Sequence, residues 1–112
     1  MVQIIWSKET LQQLRDHLEY SYSEFGMKTM NKFISQIEDF EKRIRLFPES
    51  YKPVPELSDL PQLYRGCTVM KHFLLIHYYD AIHNVVYVDY IWDMRRNPNR
   101  LKKQFGSKDR LI

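Results

Sequence analysis

The segments HFLLIHYY at positions 72–79 and VVYVDYIW at positions 85–92 decide the fold of this chain. Both are rich in aromatic and β-branched residues, which favour extended backbone, and a short polar stretch separates them. A third run of the same kind, LYRGCTV, occupies positions 63–69. Three such runs close together in sequence predict an antiparallel meander of strands.

The segment before the meander begins with a short strand and continues with a helix. Residues 2–6, VQIIW, form an apolar run typical of a strand. Ser7 supplies a hydroxyl for a helix N-cap, and Glu9 places a negative charge in the first turn. The apolar residues that follow recur at helical spacing and are Leu11, Leu14, Leu18 and Tyr22.

A second, longer helix follows Gly26, which interrupts the periodic pattern. Its apolar face is predicted to consist of Met30, Phe33, Ile34, Ile37, Phe40, Ile44 and Phe47. Because the break between the helices is short, the two should form an antiparallel hairpin. We interpret the apolar stripes as core and not as a ligand site.

The fold class predicted for residues 1–112 is a single α+β domain, with the helical hairpin packed on a four-stranded, mostly antiparallel sheet. The proline-rich residues 48–62 are a crossing loop between the hairpin and the meander. In the last strand, alternation places Val86, Val88, Tyr90 and Trp92 on one face, and Val85, Tyr87, Asp89, Ile91 and Asp93 on the other. Because both faces are partly apolar, we expect the second to be covered, for example by a partner segment.

Composition and motifs exclude several classes of function. The single cysteine, Cys67, cannot form an internal disulfide, and no signal peptide or apolar stretch of membrane-spanning length is evident. We therefore expect a cytoplasmic protein that does not enter a membrane. No glycine-rich phosphate loop, zinc motif or nucleophile elbow occurs, so we expect no metal and no cofactor.

Positive charge is concentrated near the end of the chain. Residues 95–112 contain seven Lys or Arg residues against one Asp, a net charge of +6. Since the whole chain carries +3, residues 1–94 carry −3. Such a basic tail is expected either to bind a polyanion or acidic partner or to remain a solvated arm.

The order of these elements resembles the RelE/ParE superfamily of toxins from type II toxin-antitoxin systems. The residues that carry the resemblance are Ile5–Ser7, Leu46–Pro48, Leu63–Arg65, His72–Tyr78 and Ile91–Pro98. The resemblance implies a cognate antitoxin as partner, a toxin-antitoxin hetero-oligomer, and either DNA gyrase or the ribosome with its mRNA as target. RelE-like members cleave mRNA in the ribosome, whereas ParE-like members poison DNA gyrase.

The site residues implied by the resemblance depend on which activity the chain has. Arg65 and Arg95 fall on cationic positions of the RelE pattern and would be catalytic if the chain cleaves RNA. Three other positions of that pattern fall on Cys67, Phe73 and about Leu101. These uncharged side chains can neither neutralise the phosphate nor hold a proton at the leaving oxygen. Lys71, His72 and His77 are candidate substitutes, but strand alternation predicts that the two histidines lie on opposite faces.

We therefore predict a ParE-like toxin that acts on gyrase. The alternatives are a RelE-like ribonuclease with a variant active site and a non-toxic member of the superfamily that only binds a partner. The predicted binding residues are Lys71, His72, Arg95, Arg96 and Arg100. The arginines are expected to gather at one rim of the sheet, or alternatively to form surface ion pairs with nearby aspartates.

Overall fold

The computed structural model describes the backbone of residues 1–110 and the side chains of residues 1–105. It contains β1 (Gln3–Trp6), α1 (Lys8–Phe25), α2 (Met27–Leu46), a 3₁₀ turn (Pro55–Leu57), β2 (Arg65–Val69), β3 (Phe73–Asp80), β4 (Val85–Asp93) and α3 (Asn99–Arg110). This α+β architecture confirms the predicted order of strand, two helices, crossing loop and three-strand meander. The last helix, α3, was not predicted.

The two long helices begin and end where local chemistry requires. The Ser7 hydroxyl accepts a hydrogen bond from the Thr10 backbone N–H at 3.1 Å, which caps the first turn of α1. At the break, Gly26 adopts φ of 91°, a conformation that side chains with a Cβ rarely tolerate. Its N–H donates to the Tyr22 carbonyl oxygen, so α1 ends there and α2 starts one residue later.

The hairpin packs on a sheet whose strand order is β1-β4-β3-β2. β1 runs parallel to β4, while the other two pairs are antiparallel. The core between the hairpin and the sheet includes Phe33, Phe40, Ile44, Leu75, Val86 and Val88, all of which are at most 1% exposed. The main helical contribution to this core comes from Phe33, Ile37, Phe40 and Ile44 of the predicted α2 stripe. Ile34 and Phe47 are 36% and 60% exposed, so their assignment to the stripe was wrong.

A β-bulge in β4 contradicts the predicted faces of that strand. Ile76 of β3 is paired with Tyr90 and the next residue, His77, with Val88, so Asp89 is an extra residue on β4. The bulge reverses the alternation beyond it, and Ile91 joins the hairpin-side core while Trp92 packs on the opposite face. The assignment of Val86, Val88, Tyr90 and Trp92 to one face was therefore wrong.

Helix α3 covers the second face of the sheet. Its Leu101 and Phe105 are 2% and 1% exposed. The cluster that they form also contains Val54, Leu57, Tyr64, Ile76 and Trp92. The expectation of a covered face was correct, but a segment of the same chain covers it. The predicted basic tail is accordingly a helix from Asn99 to Arg110, and residues 111–112 lie outside the described residues.

Candidate functional site

Polar residues, and not the predicted leucine stripe alone, form the face of α1 that lies against the sheet. Leu11 and Tyr22 of the predicted stripe are 37% and 53% exposed, whereas Thr10 and Ser21 are buried. Gln13 lies on the same side, and its Oε1 accepts a hydrogen bond at 2.9 Å from the N–H of Ile91, next to the bulge. A recurring series of polar residues, Thr10, Gln13, His17 and Ser21, thus faces inward at helical spacing.

His17 and Ser21 of this polar face line one wall of a cleft between the end of the hairpin and the end of the sheet. We call this cleft, which has a volume of about 480 Å³, the hairpin cleft. Its lining residues are His17, Tyr20, Ser21, Phe25, Thr29, Phe33, Met70, His72, Phe73, Asp93 and Arg95. Two predicted site residues, His72 and Arg95, come together here. The sequence analysis missed His17, Tyr20 and Ser21, although the polar spacing along α1 was a usable signal.

Arg95 is held in place by the carboxylate that ends β4. Its Nε and Nη2 donate to the two oxygens of Asp93 at 2.9 and 2.8 Å, and its backbone N–H donates to Oδ1 at 3.0 Å. These hydrogen bonds lower the pKa of Asp93 to about 2, so its carboxylate is ionised at neutral pH. The Arg95 side chain remains 66% exposed, so its guanidinium is oriented but accessible.

Two imidazoles flank the Phe73 ring inside the hairpin cleft. The ring centroids of His17 and His72 each lie 4.3 Å from that of Phe73. Burial lowers the pKa of His17, although the nearby Asp93 opposes this effect, so the ring is predominantly neutral at pH 7. Because His72 precedes β3 in the turn, it lies on the hairpin side, and the predicted separation of His72 from His77 on opposite faces was wrong.

Arg65 lies outside the hairpin cleft and has a structural role. It begins β2 opposite His77, four residues from the Val69 end that adjoins Phe73 and Asp93. Its Nη1 donates to the Tyr51 carbonyl oxygen at 2.8 Å, and Nη2 lies 3.6 Å from the Glu49 carboxylate. Its side chain is only 14% exposed. Arg65 therefore anchors the crossing loop to the edge strand.

His77 and Cys67 are both buried, at 0% and 8% exposed. His77 is fully buried, its Nδ1–H donates to the Leu75 carbonyl oxygen at 2.9 Å, and its ring packs edge-on against Phe40. Burial lowers the pKa of His77 to about 4. Burial also raises the pKa of the Cys67 thiol. Both side chains are neutral at pH 7 and cannot replace the missing groups of a ribonuclease site.

The remaining predicted residues lie on other surfaces. The Arg96 guanidinium stacks over the Trp92 ring at 5.0 Å, Arg100 is exposed on α3, and Lys71 is exposed in the β2–β3 turn. Arg95 lines the hairpin cleft, whereas Arg96 contacts the side of the sheet covered by α3. The expectation that the arginines gather at one rim was wrong, because consecutive residues after β4 point to opposite sides.

Comparison with known proteins identifies the family. Residues 4–98 match the family described as "ParE toxin of type II toxin-antitoxin system, parDE". The chain belongs to the ParE toxin family. The match covers the hairpin, the crossing loop and the whole sheet, and it ends just before α3. The RelE/ParE resemblance seen in the sequence is thereby confirmed.

A solved structure shares the fold of this ParE-family chain. It is titled "Chromosomal ParDE TA system from P. aeruginosa" and superposes with a TM-score of 0.62 at 14% identity. The alignment covers 83% of this chain and 96% of the other. No curated protein sequence matches the chain.

Neither a membrane-spanning helix nor a cluster of metal ligands is found in the part of this ParE-family chain that the structure describes. None of the helices there is long and apolar enough to cross a membrane. Among the same residues, no group of three or more His, Cys, Asp or Glu side chains could hold a metal ion.

Proposed function

We propose that this chain is a toxin that inhibits DNA gyrase in the cytoplasm and is neutralised by a cognate antitoxin. The observation that carries the proposal is the match to the ParE family over residues 4–98. The likeness to a ParDE structure supports the fold on which this activity depends. The proposed mechanism is binding to gyrase without bond chemistry by the toxin itself.

The contacts around the RelE-pattern positions favour gyrase over RNA cleavage. Arg65 is engaged by Tyr51 and Glu49, and Cys67, Phe73 and Leu101 are at most 8% exposed. A ribonuclease of this kind needs an accessible base, a cation for the phosphate and an acid for the leaving oxygen. At these positions only Arg95 remains accessible, so the RelE-like set is incomplete.

The purified chain is expected to inhibit supercoiling by purified gyrase at micromolar concentration. Inhibition follows if the toxin binds gyrase and blocks its cycle, and a supercoiling assay on relaxed plasmid measures it. Ribosomes programmed with mRNA serve as the parallel assay, in which the mRNA should stay intact. Unimpaired supercoiling together with cleaved mRNA would reject the gyrase proposal in favour of the ribonuclease.

The proposed antitoxin is expected to cover the basic surface after β4 with an acidic, amphipathic segment. Arg96 is held over Trp92, and Arg100 and Lys103 are exposed on the first turns of α3. Lys102 is paired with Asp59, whereas Arg96, Arg100 and Lys103 are accessible to a partner. Opposite charges across such an interface give specificity and rapid association.

Reversing two of these charges is expected to weaken antitoxin binding. The Arg96→Glu/Arg100→Glu variant should lose roughly 10- to 100-fold in affinity for the cognate antitoxin, because each contact becomes repulsive. The matched control, Lys32→Glu/Lys42→Glu, reverses two exposed charges on α2. Titration calorimetry and rescue of growth by co-expression measure the effect, and equal losses in both variants would contradict the assignment.

A further inference from the structure

The hairpin cleft has the features of a ligand site, and the proposed action on gyrase assigns no role to it. We propose that it binds a nucleoside 5′-monophosphate unit, either free or at the phosphorylated end of a nucleic-acid strand. The proposal rests on three kinds of group that converge in the cleft: aromatic walls, hydroxyls and basic groups. It is independent of the proposed function.

The aromatic walls suit a planar base. Phe73 lies at the inner end, and Tyr20 and Phe25 stand at the mouth with ring centroids 6.3 Å apart. Tyr20 and Phe25 are 61% and 65% exposed, so both rings are accessible to a ligand at the mouth of the cleft. Stacking of a base on aromatic side chains contributes about 1–3 kcal/mol and tolerates any base, because every base has a π face.

The hydroxyls suit a sugar. Tyr20, Ser21 and Thr29 all line the cleft, which places three O–H groups within one space. Each hydroxyl can both donate and accept, as ribose hydroxyls require. The volume of about 480 Å³ also falls within the range of roughly 300–1,000 Å³ typical of small-molecule sites. A small ligand that carries only a carboxylate would contact neither the aromatic walls nor the hydroxyls.

The guanidinium of Arg95 and the imidazoles of His17 and His72 supply N–H donors for the phosphate, although the predominantly neutral His17 adds no charge. Asp93 occupies Nε and Nη2 of Arg95, and Nη1 makes no hydrogen bond with the described residues. The imidazole nitrogens of His17 and His72 likewise make no hydrogen bond with the described residues. The distance between the two imidazole centroids cannot exceed the sum of their two 4.3 Å distances to the Phe73 centroid. A guanidinium already held by a carboxylate loses little freedom when it binds a phosphate oxygen.

The test is titration of the full chain with the four ribonucleoside 5′-monophosphates, followed by NMR and calorimetry. We expect saturable binding, with shifted signals from Phe25, His72 and Phe73, whereas inorganic phosphate and the nucleosides alone should bind more weakly. A short oligonucleotide with a 5′-phosphate, compared with the same strand lacking it, distinguishes a strand end from a free nucleotide. Equal binding of phosphate and nucleotide, or none at millimolar nucleotide, would overturn the proposal.

Substitutions at the mouth separate ligand contacts from structural roles. Arg95→Gln and Phe25→Ala are expected to weaken binding roughly tenfold each, and both side chains are exposed enough for the fold to persist. Asp93→Asn keeps an oxygen that can accept from the Arg95 backbone N–H and Nε, as Oδ1 does in the structure, but it removes the negative charge next to the phosphate. It should therefore tighten binding, a gain that a purely structural role does not predict. Lys42→Gln is the control on the exposed side of α2, and indistinguishable affinities across all four variants would refute the site.

Discussion

Replacing Phe105 with alanine is expected to lower the free energy of unfolding by about 3–5 kcal/mol, as for other buried aromatic truncations. Phe105 is 1% exposed and meets the rings of Tyr64 and Tyr90 edge-on, with centroid distances of 4.8 and 5.7 Å. Its removal leaves a cavity beneath α3 and exposes the second face of the sheet. Urea denaturation followed by circular dichroism and tyrosine fluorescence measures the loss.

The neighbouring Lys103→Ala substitution is the control, since this side chain is exposed on the same helix. It should change stability by no more than about 0.5 kcal/mol, as most surface substitutions do. If Phe105→Ala leaves the unfolding midpoint unchanged, α3 does not contribute to the cooperative unit. Hydrogen exchange in α3 would then show whether the helix undocks separately while the sheet stays folded.

Acid is expected to destabilise the protein between pH 6.5 and about pH 4 through His77. Its pKa falls from 6.5 to about 4 in the folded state because burial disfavours the charged ring. The unfolded chain therefore binds a proton in this window while the folded chain does not, and stability falls as pH falls. A shift of this size corresponds to about 3 kcal/mol, reached near pH 4.

The His77→Leu variant is the comparison that isolates this residue. Leucine is similar in size and carries no titrating group, so its stability curve should be flatter over the same pH range. It removes the Nε2 atom, which is buried without a hydrogen-bond partner among the described residues, but it also loses the Nδ1–H hydrogen bond to the Leu75 carbonyl oxygen. Because these two effects oppose each other, the variant should be near neutral in stability at pH 7. Parallel curves for both proteins would show that other groups cause the acid sensitivity.

Apart from α3, the element types and their order could be predicted from the sequence alone. Periods near 3.6 and 2 are local properties, so the stripe of α2 and the runs that became β2, β3 and β4 were visible without any tertiary contact. Gly26 and Ser7 marked helix boundaries for the same reason, because the φ requirement and the cap hydrogen bond involve residues close in sequence. The ordered motifs from residue 5 to 98 were also sufficient to indicate the family.

Only the tertiary structure decided which faces these elements present and which side chains meet. The extra residue at Asp89 reverses the faces of Ile91 and Trp92, and no local pattern announces a bulge. The hairpin cleft combines His17, His72 and Arg95, residues far apart in sequence that meet because strand register and helix packing bring them together. Sequence periodicity reports on neighbours along one element, whereas a site depends on long-range contacts set by the packed core.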